Sequence, residues 1–172
     1  MTQSETPGGA EGKLTQTSGL AVAAIVLLVM LLGSVGADIA AKVGTRIVTQ
    51  ENWTDVLNAF LIALLVNSPA LIFIGVLGDF AGLFSRTSEG EVFTRRNLKT
   101  LRSAGSGLVW AAATSAIVVP TVLSWVQESG RGILWEVNDL AFGTGAMGFV
   151  ILGLTHVFAE GIRIKTDSDQ II

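Results

Sequence analysis

Four stretches of the sequence carry almost no charge: about 20–37, 56–78, 104–126 and 140–159. Each is close to the ~20 apolar residues that an α-helix needs to cross a hydrocarbon core of about 30 Å. A soluble helix of that length would show a polar stripe, and none of the four does. Without water, backbone N–H and C=O groups must pair within the segment, so unbroken apolar runs predict helices. A transmembrane barrel would instead need alternating strands of about ten residues, and that pattern is absent. The expected fold is an all-α integral membrane protein, a bundle of four transmembrane helices with a short cytoplasmic amphipathic helix. Residues 1–17, rich in Thr, Ser, Gly and Gln, read as a disordered cytoplasmic tail. Residues 18–163 form the transmembrane domain and 164–172 a second cytoplasmic tail.

Val35-Gly36-Ala37 resembles the small-residue end of a signal peptide, which leaves cleavage of the first run as an alternative. The weakly basic leading segment and the length of the run favour a retained span. Lys and Arg set the orientation. Lys13, Arg86, Arg95, Arg96, Lys99, Arg102, Arg163 and Lys165 fall on one side, while only Lys42, Arg46 and Arg131 fall on the other. The excess places both termini and the middle loop in the cytoplasm of a cell (plasma) membrane. Trp53, Trp125 and Trp135 then lie at the outer boundary, where indole rings favour the headgroup level, and Trp110 near the inner end of the third helix.

Two prolines interrupt the spans. Pro69 follows Asn67-Ser68 and Pro120 lies toward the outer end of the third helix. Each removes a backbone donor and is expected to kink its helix. Asn67 and the carbonyls freed by Pro69 could also line a polar site at depth. Ser103, Gly107, Ala111 and Ser115 are spaced by four, on one helical face where a neighbouring helix can approach closely. Leu108, on an adjacent face, is expected to matter less. Gly143, Gly145, Ala146, Gly148 and Gly153 repeat the theme in the fourth run. These residues predict helix packing within the bundle, and leave a homo-oligomer open.

The middle loop is the most structured polar segment. Thr94 can cap a helix starting at Arg95, with Phe93 and Leu98 as its hydrophobic staple. Arg95, Arg96, Lys99 and Arg102 then make a basic helix on the inner leaflet. Gly90, Phe93, Thr94, Asn97, Leu101, Arg102 and Gly105 stand in the spacing Gly-x-x-Phe-(Ser/Thr)-x-x-Asn-x-x-x-Leu-Arg-x-x-Gly. In this the chain resembles the bacterial four-helix membrane proteins of domain of unknown function 2975. Phe158, Gly161, Ile164, Asp167, Asp169, Ile171 and Ile172 are similar to that family's ending, with Ile164 for the usual Leu and Gln170 for Gly or Leu. The resemblance implies the topology but no activity. It also implies, through gene neighbourhood alone, a link to a small helix-turn-helix regulator.

Candidate chemistry is sparse. Asn67, Asp79, His156 and Glu160 are ionisable or polar groups within or near the spans, and default candidates for proton or ion handling. The plainer reading makes them interfacial side chains reaching water and headgroups. With no Cys and one His, thiolate or clustered-imidazole metal sites are excluded. Ser106 in Gly105-Ser106-Gly107 lacks the outer glycines of a nucleophile elbow, and Gly143-Thr144-Gly145 does not follow a strand as a phosphate loop would. No cofactor and no enzyme activity are expected, and the net charge of -3 gives no footprint for direct nucleic-acid binding. The expected partners are the lipid bilayer and whatever meets Phe93, Thr94, Arg95, Arg96, Asn97, Lys99, Arg102, Asp167 and Asp169. An interaction or signalling-associated protein is the leading expectation, and a small transporter or channel subunit the alternative.

Overall fold

The structure is a computed structural model that describes residues 8–49, 52–88, 94–127, 132–136 and 139–169, with the side chains of 8–18, 88, 127 and 165–169 excepted. Among the described residues every regular element is helical. They are α1 (Gly8–Val48), α2 (Trp53–Val66), α3 (Ser68–Ser88), α4 (Arg95–Ala113), a π-helical turn (Thr114–Val118), α5 (Val119–Gln127) and α6 (Asp139–Asp169). Four continuous stretches are long and apolar enough to cross a membrane: Gly19–Val48, Ser68–Thr87, Arg95–Val126 and Asp139–Ile164. The chain therefore has the architecture of a multi-pass membrane protein.

The second apolar run, 56–78, straddles a break at Asn67. The stretch able to span is Ser68–Thr87, and Trp53–Val66 is a separate, shorter apolar helix before it. The break has a local cause. Pro69 has no N–H for the carbonyl four residues earlier, and the Ser68 hydroxyl donates to that Leu65 carbonyl instead, at 2.6 Å. Asn67 uses its side-chain amide twice, donating to Ala63 O at 2.9 Å and to Asp38 Oδ2 on α1 at 2.8 Å. Asp38 also holds Lys42 Nζ at 2.7 Å. The kink is thus pinned to α1 by a charged acceptor.

The second proline is compensated from further away. Pro120 leaves Ala116 O without its helical donor, and the backbone N–H of Glu136 supplies one at 2.9 Å. Just before it the helix widens into the π turn, where Val119 N–H reaches back five residues to Thr114 O. Residues 132–136 run back along this helix. The Thr121 hydroxyl accepts from Leu134 N at 3.1 Å and donates to Leu134 O at 3.2 Å, and Trp125 Nε1 donates to Gly132 O at 2.9 Å. Gly132 has φ +150°, open to a residue without Cβ.

The spans pack in chain order: α1 against α2 and α3, α3 against α4, α4 against α6. Among the described residues no packing face joins α1 to α6, so the ring of four stays open on that side. The core is small: Val76, Ala104 and Leu108, flanked by Phe73, Phe80 and Ile151. Leu108 therefore belongs to the core, against the expectation that it would matter less than Gly107. Gly107 does face α3, where a Cβ would stand 2.7 Å from Val76 Cγ2. Ala111 is buried but Ser103 is exposed, so the four-residue spacing does not mark one continuous interface. α4 and α6 come backbone to backbone at Gly105 and Gly148; a Cβ on Gly148 would lie 2.8 Å from Gly105 O. Gly143 and Gly153 face open space.

Candidate functional site

At the Arg95 end, α4 begins as its sequence dictates. Thr94 is extended (φ -120°, ψ 150°) and its hydroxyl accepts Asn97 N–H at 3.2 Å. From there the helix divides sharply. Asn97, Leu101, Ala104 and Gly105 face inward, with Asn97 only 1% exposed, while Arg95, Arg96, Lys99 and Arg102 are all exposed. Arg86, at the end of α3, joins the two helices by donating from Nη2 to Thr100 Oγ1 at 3.1 Å, and Thr100 in turn donates to Arg96 O. Asn97, expected at the contact surface, instead packs inside. Phe93 and Gly90 lie outside the described residues, as do the side chains of Asp167 and Asp169. Their backbone continues α6 to Asp169, so this segment is helix rather than a free tail. Gly105 meets Ile151 and Leu152, and Gly145 meets Ala112. The same antiparallel register puts Arg95 opposite Ile162, and α6 continues past the start of α4 by roughly 10 Å.

The polar residues within the spans do not come together. Asn67 is held by Asp38 at the break between α2 and α3. Asp79 lies on α3, eight residues short of the end of the Ser68–Thr87 stretch, or about 12 Å inside it. His156 and Glu160 are on α6, across α4 from α3, and both are exposed. Glu160 Oε1 pairs with Arg163 Nη2 at 2.9 Å on its own helix. Among the described residues no group of three His, Asp or Glu side chains could hold a metal ion.

The space between the spans holds a feature that their sequences do not announce. A cavity of about 380 Å³ is lined from all four spans, including Leu31, Pro69, Phe73, Ser115, Leu140 and Thr144. A second hollow of about 370 Å³ lies on the other side of Ala112 and Ala141, lined by small and aromatic residues of α4, the π turn and α6, such as Val109, Phe142 and Phe149. Two small side chains form the wall between them. Asn67 is not among the residues lining the first cavity, although Pro69, two residues on, is.

The exposed Arg102, the buried Asn97 and Leu101, and the close-packed Gly105 are residues of one loop-to-helix motif, and that motif lies within a family match. A family described as "protein of unknown function (DUF2975)" matches residues 45–172, most of the chain. The chain belongs to the DUF2975 family. Neither a curated protein nor a solved structure matches it. Membership gives the motif a physical reading here. Among its described members Thr94 caps α4, Asn97, Leu101 and Gly105 pack inward, and Arg102 alone points outward.

Proposed function

We propose that this DUF2975 protein is a plasma-membrane interaction protein, with both termini cytoplasmic, whose α4 basic face contacts an acidic partner segment or anionic headgroups. The observation that carries the reading is the division of α4: four cations exposed on turns whose other face is buried. A helix that only anchored topology would need the charges but not a rigid, capped frame holding them. Cations near the inner leaflet gain about 1 kcal/mol each from its surface potential. Such a contact is reversible and salt-sensitive, which suits signalling. It needs no catalytic group or cofactor. A homo-oligomer and a regulator of the helix-turn-helix class are both compatible partners. The test is a photo-crosslinking residue at Arg96 in native membranes. Adducts to lipid or protein should form there, fall with added salt, and vanish when Arg95, Lys99 and Arg102 become Glu. Adducts no stronger than at Trp110, which faces outward in mid-helix, would sink the reading.

The alternative, a small transporter, draws on the cavity beside Pro69. Proton flux in liposomes that depends on Asn67 would favour it. The structure gives Asn67 a bracing partner, so Asn67→Leu should alter stability before flux.

A further inference from the structure

The cavity bounded by all four spans has a composition that selects its occupant. Its walls are apolar except for two hydroxyls, those of Ser115 on the π turn and Thr144 on α6. Neither hydroxyl makes a hydrogen bond with any described residue, although both are partly buried. Helical Ser and Thr ordinarily bond back to a carbonyl three or four residues earlier, as Ser106 and Thr155 do here. Ser115 and Thr144 do not, and because both line one space they offer it two hydrogen-bond donors. No charged side chain lines the cavity, so a charged ligand would enter without compensation, at a large desolvation cost.

Size and access narrow the class. An apolar cavity of roughly 150 Å³ holds a benzene ring; this one measures about 380 Å³, room for a substituted two-ring system. It is not enclosed, and it lies among apolar spans that do not pack α1 against α6 among the described residues. A plain alkyl chain would fill the volume but leave both hydroxyls unsatisfied. A lipid ester carbonyl belongs at headgroup level, whereas Ser115 stands eleven residues inside Val126, about 16 Å along the helix. We infer that the cavity binds an uncharged, bilayer-dissolved ring compound through its carbonyl oxygen, quinone-like in chemical class, with Ser115 and Thr144 as the donors and Phe73 against the ring. The inference is independent of the α4 basic face.

The test uses the full chain in phosphatidylcholine nanodiscs with radiolabelled 2-methyl-1,4-naphthoquinone, counts in empty discs being subtracted. One saturable site per chain is expected. Ser115→Ala combined with Thr144→Val keeps the cavity's shape, and should weaken the quinone about tenfold for the two lost hydrogen bonds. The same double variant should leave 2-methylnaphthalene, the hydrocarbon analogue, unchanged. Ala70→Phe, which fills the cavity from α3, should abolish both. Any one of three results overturns the assignment: no saturable quinone binding, equal quinone affinity in the double variant and the parent, or binding that survives Ala70→Phe. Repeating the titration in ether-linked lipid discs separates the remaining source. If removing ester carbonyls strengthens quinone binding tenfold or more, lipid esters hold the site and the quinone assignment falls. Unchanged affinity there supports it.

Discussion

Replacing Gly148 by Ala adds one methyl where α4 and α6 meet backbone to backbone. That methyl would stand 2.8 Å from Gly105 O, 2.9 Å from Val109 Cγ2 and 3.0 Å from Leu108 Cβ. Real Cβ atoms do not come that close, and the first obstacle is backbone oxygen, which cannot rotate away. α4 and α6 must separate locally, which costs the contacts of Leu108, a core residue. Overpacking of this kind costs about 1–3 kcal/mol. At about 2–4 °C per kcal/mol for a chain of this size, the midpoint of thermal unfolding in detergent should fall measurably. The reciprocal change sets an internal scale. A Cβ at Gly105 meets only the side chains of Leu152 and Ile151, at 3.0 and 3.1 Å, and these can shift by rotation. Gly105→Ala should therefore cost less than Gly148→Ala. Gly143→Ala and Gly153→Ala, with open space around them, should be neutral or slightly stabilising, since Gly is about 0.5–1 kcal/mol worse than Ala within a helix. If Gly148→Ala unfolds at the same temperature as Gly143→Ala, the close α4–α6 approach is wrong.

Other consequences can be measured separately. Thr121→Val strips both backbone partners from Leu134, and should speed amide hydrogen exchange at Leu134 while destabilising the protein by about 1–3 kcal/mol; unchanged exchange would mean that residues 132–136 do not depend on the hydroxyl. Pro120→Ala restores a helical donor to Ala116 O, so Glu136 N–H should lose its acceptor and exchange faster with little change in overall stability. Asn67→Leu removes a hydrogen bond to a carboxylate from another helix and should lower the unfolding temperature. Lys42→Met breaks only a half-exposed pair within α1 and should lower it less; the reverse order in unfolding temperature would refute Asn67 as the brace. Topology reporters at residues 45 and 132 should read outside the cell and those at 90 and 172 the cytoplasm, with a cytoplasmic signal at residue 45 overturning the orientation.

Sequence made the helical, membrane-crossing class plain because hydrophobic runs are additive: no single residue decides them. The start of α4 was equally legible, since a cap is a contact between Thr94 and Asn97, three residues apart. What stayed hidden depends on distant pairs. Asp38 and Asn67 are separated by 29 residues, so the brace that fixes the second span's break has no local signature. Asn97, in a basic segment, looked like a surface residue; its burial follows only from the register of α4 against its neighbours. The cavity is a further step removed, because it is defined by where four helices fail to touch. Ser115 and Thr144 carry no local mark that separates them from the other hydroxyls of the same runs, Ser106, Thr114, Thr121, Ser124 and Thr155.

The chain-order packing also bears on how the molecule is made. Every span finds its partner in the segment synthesised immediately before it, so no helix has to wait in the membrane for a later one. Hairpin formation can keep pace with synthesis, and the last span docks onto α4 as a completed surface. The final interface is therefore the one most open to interruption, and it is built on two glycines. A chain released before α6 inserts would leave Gly105 and Leu108 facing lipid. Such truncated chains should be favoured substrates of membrane quality control, whereas a chain cut between α3 and α4 yields two hairpins that can each pair internally and reassociate through Val76 and Gly107.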